Sequence, residues 1–366
     1  MRQINKSSLA ALAAVAVLCA AAYIYFQPLA PGPEPIRVKV FCAGSLLYPM
    51  NQVAEAFMED NPGYEVEVEG HGSIQVIRHP TELDDPVDVL LVADYSLIPV
   101  MMYDAPLPGE GGNFTDWYIR FAGNEIVLAY TDDSLYSDEV NATNWHEVVA
   151  RPDVRIAFSN PIIDALGYRG LQIMQLAENY YGVSTLFEDG VGSHFDPAIE
   201  TVDTVDRTYI FVPEQLKPEG GKVSVRASSI QIMPLLESGS VDYTFLYLSN
   251  AKQYEVRYIE LPPEINMGDP EHDAYYAKAY LRFQHARFQS IGLDREGKTI
   301  YYGLNIPGNA PEPEAAEVFA EYLLGGEGRE IFRELSHPVF EPCYTDNLDG
   351  VPDRLKHLVT LDEYGR

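Results

Sequence analysis

The chain predicts an α/β fold, built either as two domains or as one unit with two lobes, and three observations carry that prediction. Short apolar strands alternate with helices from Ile36 onward, the alternation restarts after Asn124, and 366 residues with 46% hydrophobic content suffice to bury more than one core. Strand–helix alternation implies parallel sheets covered by helices on both faces. Open sheets of that kind bind ligands beyond the carboxyl ends of their strands.

The elements follow in order. After Arg2 and Lys6 comes an uncharged apolar run from Leu9 to Phe26. Its length permits both a cleaved export signal and a retained anchor, and either places the body outside the cytoplasm. Cys19 is open to two readings: a lipidation site, for which Ala16-Val17-Leu18 is a poor processing signal, or a small apolar residue of the segment. Pro28, Pro31, Gly32, Pro33 and Pro35 make a stiff tether before the fold. The later cysteines, Cys42 and Cys343, could pair in an oxidising compartment, although no spacing supports it, and no Cys/His cluster has metal-ligand spacing. A net charge of −30 excludes a nucleic-acid partner, because a phosphate backbone would be repelled.

Val38–Cys42 reads as the first strand, followed by Gly44-Ser45 and a helix over Pro49–Asp60 with Met50, Val53, Ala54 and Phe57 on its apolar face. A Gly-Ser turn at a helix start presents a hydroxyl, backbone N–H groups and the positive end of the helix dipole, so Ser45 is either an anion cradle or an N-cap. Strand Glu65–Glu69 ends in Gly70-His71-Gly72-Ser73, and strand Val87–Val92 ends in Asp94-Tyr95. Ser45 and Ser73 converge on one rim; Asp94 would repel an anion there unless it caps the turn that follows, and stays outside the predicted site. Asn124–Tyr130 crosses into a second lobe. There Val154–Phe158 leads through Asp164 into a helix to Tyr181, Val223–Arg226 leads through Ser228-Ser229 into another, and Val241–Tyr247 is a strand. Ser193–Gly221 is an irregular excursion with a Tyr209–Val212 strand. Thr299–Ile306 is a strand, Pro313–Leu335 an amphipathic helix broken at Gly325–Gly328, and the tail from Tyr344 is polar and peripheral.

Val40-Phe41-Cys42-Ala43-Gly44-Ser45-Leu46, Ala93-Asp94-Tyr95-Ser96-Leu97-Ile98-Pro99, Asn124-Glu125-Ile126-Val127-Leu128-Ala129-Tyr130, Arg151-Pro152-Asp153-Val154-Arg155, Gly167-Tyr168-Arg169, Leu236–Tyr243 and Tyr302–Pro307 stand in that order. Together, over roughly residues 37–343, they resemble the molybdate/tungstate-binding proteins of archaeal ABC transporters. The resemblance implies a type II periplasmic-binding-protein fold: residues 36–123 and 255–343 in one lobe, 124–254 in the other, and a hinge between them. It implies that an oxyanion, with no resident cofactor, is held by Ser45, Ser73, Asp164, Tyr247 and Ser229, with Gly44, Ala165 and Leu166 on the same turns. An ABC permease with its ATPase would be the partner, and the protein would act as a monomer.

The family brings two carboxylates to the metal of its ligand and makes it octahedral. Asp164 matches the first; Ser229 or Ser228 stands where the second, a glutamate, is expected. A carboxylate beside a dianion is repulsive unless it bonds the metal or carries a proton. The expectation is therefore either five-coordinate binding through Asp164 or plain hydrogen-bonded capture, with molybdate or tungstate, another oxyanion such as sulfate or phosphate, or a sensor role all open. Ile162, Ile163 and Ala165 also replace the family's polar and proline residues. The competing enzyme reading, a hydrolase using Ser45, His71 and Asp94 or Asp164, lacks a Gly-x-Ser-x-Gly elbow.

Overall fold

The computed structural model describes residues 34–109, 111–284, 292 and 294–362, so the apolar run, Cys19 and nearly all of the tether lie outside them. Among the described residues no helix is long and apolar enough to cross a membrane. Three sheets organise the rest. The first has seven strands in the order β16-β15-β4-β14-β3-β1-β2: β1 Ile36–Ala43, β2 Tyr64–His71, β3 Val89–Val92, β4 Ile119–Asn124, β14 Ile300–Asn305, β15 Val339–Thr345 and β16 Val359–Leu361. The second has five, β11-β5-β10-β6-β9: β5 Ile126–Tyr130, β6 Ile156–Ser159, β9 Val223–Arg226, β10 Tyr243–Tyr247 and β11 Arg257–Glu260. The third has four, β13-β12-β8-β7: β7 Glu200–Asp203, β8 Thr208–Val212, β12 Ala279–Phe283 and β13 Asp294–Glu296.

β1 is buried continuously from Val40 to Ala43 and pairs in parallel with β2 and β3, as an inner strand should. The sheets are mixed rather than wholly parallel. β4 and β14, which run between the lobes without a crossover helix, pair antiparallel with each other, and β14 also with β3. The chain leaves the seven-stranded sheet at Asn124 and enters the five-stranded one at Ile126, with Glu125 between them. The return passes Asn266 and Met267, whose carbonyls accept from Ile126 N–H and Ile300 N–H at 2.9 Å each.

Helix α1 (Leu47–Asp60) buries Met50, Val53, Ala54 and Phe57 as its period requires. Helix α2 (Ser73–Glu82) starts at the end of β2. Helix α3 (Ala165–Tyr181) starts directly after Asp164. It is buried on every side from Ala165 to Ala177, because the third sheet covers the face that a surface helix leaves to water. Gln172 Nε2 ties the two together by donating to the carbonyls of Ala279 and Arg295 at 3.3 and 3.0 Å.

Two expectations need correction, and the cysteine pairing left open is not made. Residues 257–260 and 279–283, assigned to the first lobe, pair with β5 and β8 respectively, and 294–296 pair with β12, so the first-lobe sheet resumes only at Ile300. The tail is not peripheral. β16 lies beside β15, Val351 and Leu355 are buried, and the Asp362 carboxylate pairs with Arg120, so sparse apolar residues anchor a polar segment. Cys42 and Cys343 are both free and buried, and four strand spacings, about 19 Å, separate β1 from β15.

Candidate oxyanion site

Two rims meet where the carboxyl ends of the parallel strands point. On the first rim β1 runs into a 3₁₀ turn over Gly44–Leu46, which leads straight into α1. Ser45 is 3% exposed, and its carbonyl accepts from Asn250 Nδ2 at 2.9 Å. Its hydroxyl stands beside the Tyr302 phenol without hydrogen-bond geometry to it, so Ser45 Oγ is buried and unpartnered. Ser73 opens α2, and its Oγ accepts from Ala93 N–H at 3.0 Å, which leaves its own proton to donate.

On the second rim β6 ends at Ser159, and the turn through Asn160 delivers Asp164 as the N-cap of α3. Asp164 Oδ1 accepts from Leu166 N–H at 3.2 Å and Oδ2 from Ser229 N–H at 2.9 Å. Complete burial outweighs those donors and pushes the Asp164 carboxyl up to about 6. The Ser159 hydroxyl lies beside it, also without hydrogen-bond geometry to a partner. Tyr247 closes β10 with its phenol buried, and the ring lies 5.9 Å from that of Tyr302.

The rims touch. A Cβ on Gly44 would stand 3.2 Å from Ser229 Oγ, and one on Gly72 would stand 2.3 Å from Ile163 O and 3.1 Å from Asp164 Cβ. Ile74 N–H donates to Ile163 O at 3.2 Å across the same gap. Gly44, Ser45, Ser73, Asp164, Ser229 and Tyr247 are therefore brought together around one region, with Ala165 and Leu166 in the first buried turn of α3. Ser229 arrives differently from expectation: its backbone N–H serves Asp164, while its hydroxyl faces the Gly44 turn.

Sequence reasoning missed the basic group of this region. Arg169, 2% exposed, donates through Nη1 to Ala93 O at 2.7 Å and to Tyr247 Oη at 2.8 Å. Its Nη2 has no hydrogen-bond partner; the nearest carboxylate oxygen, Asp94 Oδ2, is 3.8 Å away. Asp94 caps the following turn through Ser96 N–H and Oγ and accepts from Tyr168 Oη at 2.6 Å. Lys298 and Arg169 hold its carboxyl far below the usual carboxylate range despite burial. Two signals marked Arg169: a lone cation in the apolar stretch Ala165–Leu171, and its place in the Gly167-Tyr168-Arg169 motif.

The hydrolase constellation is not assembled. His71 packs against the rings of Phe41 and His79 and faces Glu69, Asp94 is committed to Ser96 and Tyr168, and Ser45 Oγ meets no base. Among the described residues no group of three or more His, Cys, Asp or Glu could hold a metal ion.

Against known proteins, residues 38–334 match the family described as bacterial extracellular solute-binding protein. The molybdate/tungstate-binding protein WtpA of Pyrococcus abyssi is 35% identical over 346 residues, which cover 91% of this chain and 92% of that protein. The Azotobacter vinelandii periplasmic molybdate-binding protein superposes with a TM-score of 0.51 at 17% identity, covering 83% of this chain and all of that one. The sulfate-binding protein SubI from Mycobacterium tuberculosis does so with a TM-score of 0.53 at 12% identity, over 84% and 88%. Likeness at such identities is one of fold, and the fold is the two-lobed periplasmic-binding-protein architecture that the resemblance implies. The family match spans most of the sequence, and the chain belongs to the bacterial extracellular solute-binding proteins.

Proposed function

We propose that this protein captures a tetrahedral oxyanion of the molybdate/tungstate class between its rims, outside the cytoplasm, and presents it in the closed form to an ABC permease. The observation that carries the reading is the convergence of two buried serine hydroxyls, one unpartnered and one holding a free proton, on a facing rim of Ser229, Tyr247 and Asp164. Buried donors without acceptors are costly, and an oxyanion satisfies several at once. The 35% identity to a relative named for molybdate and tungstate supports the ligand class.

Both Asp164 oxygens already accept a backbone N–H, and Ser229 offers a hydroxyl rather than a second carboxylate. That arrangement favours hydrogen-bonded capture over expansion of the metal's coordination sphere. It equally suits sulfate, which is the second reading. Titration calorimetry with molybdate, tungstate, sulfate and phosphate tests both: tight one-to-one binding of molybdate or tungstate supports the first, preference for sulfate the second, and binding of none refutes capture.

A further inference from the structure

We infer that Arg169, supported by Lys298, is the charge-selecting element of the site: it sets a preference for doubly over singly charged oxyanions through the hydroxyl of Tyr247. This rests on the oxyanion reading above and deepens it. The protein carries a net charge of −30, so a dianion meets an adverse field everywhere except where local positive charge is built in. Two basic side chains stand behind the Ser73 rim and share the Asp94 carboxylate: Arg169 Nη2 lies 3.8 Å and Lys298 Nζ 3.7 Å from its two oxygens. Arg169 also acts on Asp164, and Lys298 on Asp273, while Arg295 adds a third cation nearby.

The route to the ligand is explicit. Tyr247 Oη accepts a hydrogen bond from Arg169 Nη1, so its own proton is directed elsewhere, and a donor whose oxygen is held by a guanidinium is a stronger donor. Tyr247 lies beside Tyr302, which borders Ser45, and Arg169 also grips the carbonyl of Ala93, whose N–H is bonded to Ser73 Oγ. Ser73 is thus one residue removed from the guanidinium, through Ala93, and Ser45 two, through Tyr302 and Tyr247. Buried at 2% exposure, Arg169 is poorly screened by salt, and its interaction with an anion grows in proportion to the anion's charge.

Tungstate and perrhenate make the test, since they have the same shape and nearly the same size but carry two charges and one. Calorimetry on the intact extracytoplasmic chain compares wild type with Arg169→Gln. The expected result is a loss of tungstate affinity of about 100-fold with perrhenate affinity falling only about 10-fold, because the monoanion forfeits half the interaction energy, so that the preference for the dianion shrinks about 10-fold. An equal loss for both anions would show a purely structural role and overturn the inference. Failure of wild type to bind tungstate would instead overturn the oxyanion reading itself. Lys298→Gln alters a side chain that is one-third exposed, and runs the same comparison if Arg169→Gln does not fold. A several-fold drop in the tungstate-to-perrhenate ratio supports the inference, and an unchanged ratio refutes it.

Discussion

Gly72→Ala addresses closure directly. Gly72 has φ −66° and ψ 144°, a backbone that any residue adopts, so alanine introduces no local strain and the first rim keeps its shape. The obstacle lies across the cleft. The new Cβ would sit 2.3 Å from Ile163 O, 2.9 Å from its carbonyl carbon and 3.1 Å from Asp164 Cβ, and the two nearest atoms are backbone, which cannot swing away. Relief requires the rims to part by about 1 Å. That carries the Ile74 N–H to Ile163 O bond from 3.2 Å past hydrogen-bond range. Overpacking of this kind costs about 1–3 kcal/mol and the lost bond about 1 kcal/mol. The closed form is therefore disfavoured by roughly 2–4 kcal/mol, a loss of affinity of roughly 30- to 700-fold. Titration calorimetry measures the loss, and thermal unfolding without ligand checks that the variant is folded. A Gly72→Ala protein that binds its oxyanion as tightly as wild type would show that these rims do not meet in the bound state, and the reasoning would fall.

Four further outcomes follow from the same geometry. Ser45→Ala removes a hydroxyl with no partner in the fold, so oxyanion affinity should drop by about 10- to 150-fold, the range for a hydrogen bond to a charged group, while the unfolding midpoint stays within a degree or two. Asp164 releases its proton near pH 6 when folded and near ~4 when unfolded. Native protein therefore holds the extra proton between those values, and this group's contribution to stability falls as pH rises through that window and levels off above it. Thermal unfolding of wild type against Asp164→Asn measures that slope, and hydrogen-bonded capture should tighten as Asp164 becomes neutral, whereas coordination by the carboxylate would weaken. Ser229→Glu, which restores a second carboxylate, should shift calorimetric preference toward tungstate and molybdate over sulfate; abolition of all binding would refute the account of that position. Asp94→Asn leaves Arg169 and Lys298 without their buried counter-charge and should destabilise the fold by roughly 3 kcal/mol, read by denaturant unfolding.

The first lobe was legible because each of its signals is local. β1, α1 and β3 are set by apolar runs of the right length and period, and Gly44-Ser45 and Gly72-Ser73 fall at the strand ends that periodicity marks. The third sheet was not legible. β8 and β12 pair in parallel although about 70 residues separate them, and neither strand signals which partner it takes. Its absence from the sequence reading misplaced residues 279–283 and 294–296 and hid what covers α3, where Gln172 is bonded to that sheet and both faces are buried.

The same long-range packing explains why Arg169 escaped notice. Along the sequence it is one cation among 25 basic residues and 55 acidic ones, and a cation on a helix ordinarily points to water. Only when the third sheet seals α3 does the guanidinium become fully buried, and only when the rims meet does Asp94 approach it from the other lobe. Positive potential at the site was expected to come from backbone dipoles and hydroxyls alone. The fold instead adds a desolvated side-chain charge behind the residues that sequence reasoning chose. Ser45 and Ser73 supply direction and Arg169 supplies field, a division that predicts separable defects: loss of a serine should weaken every tetrahedral anion alike, and loss of Arg169 should weaken them according to their charge.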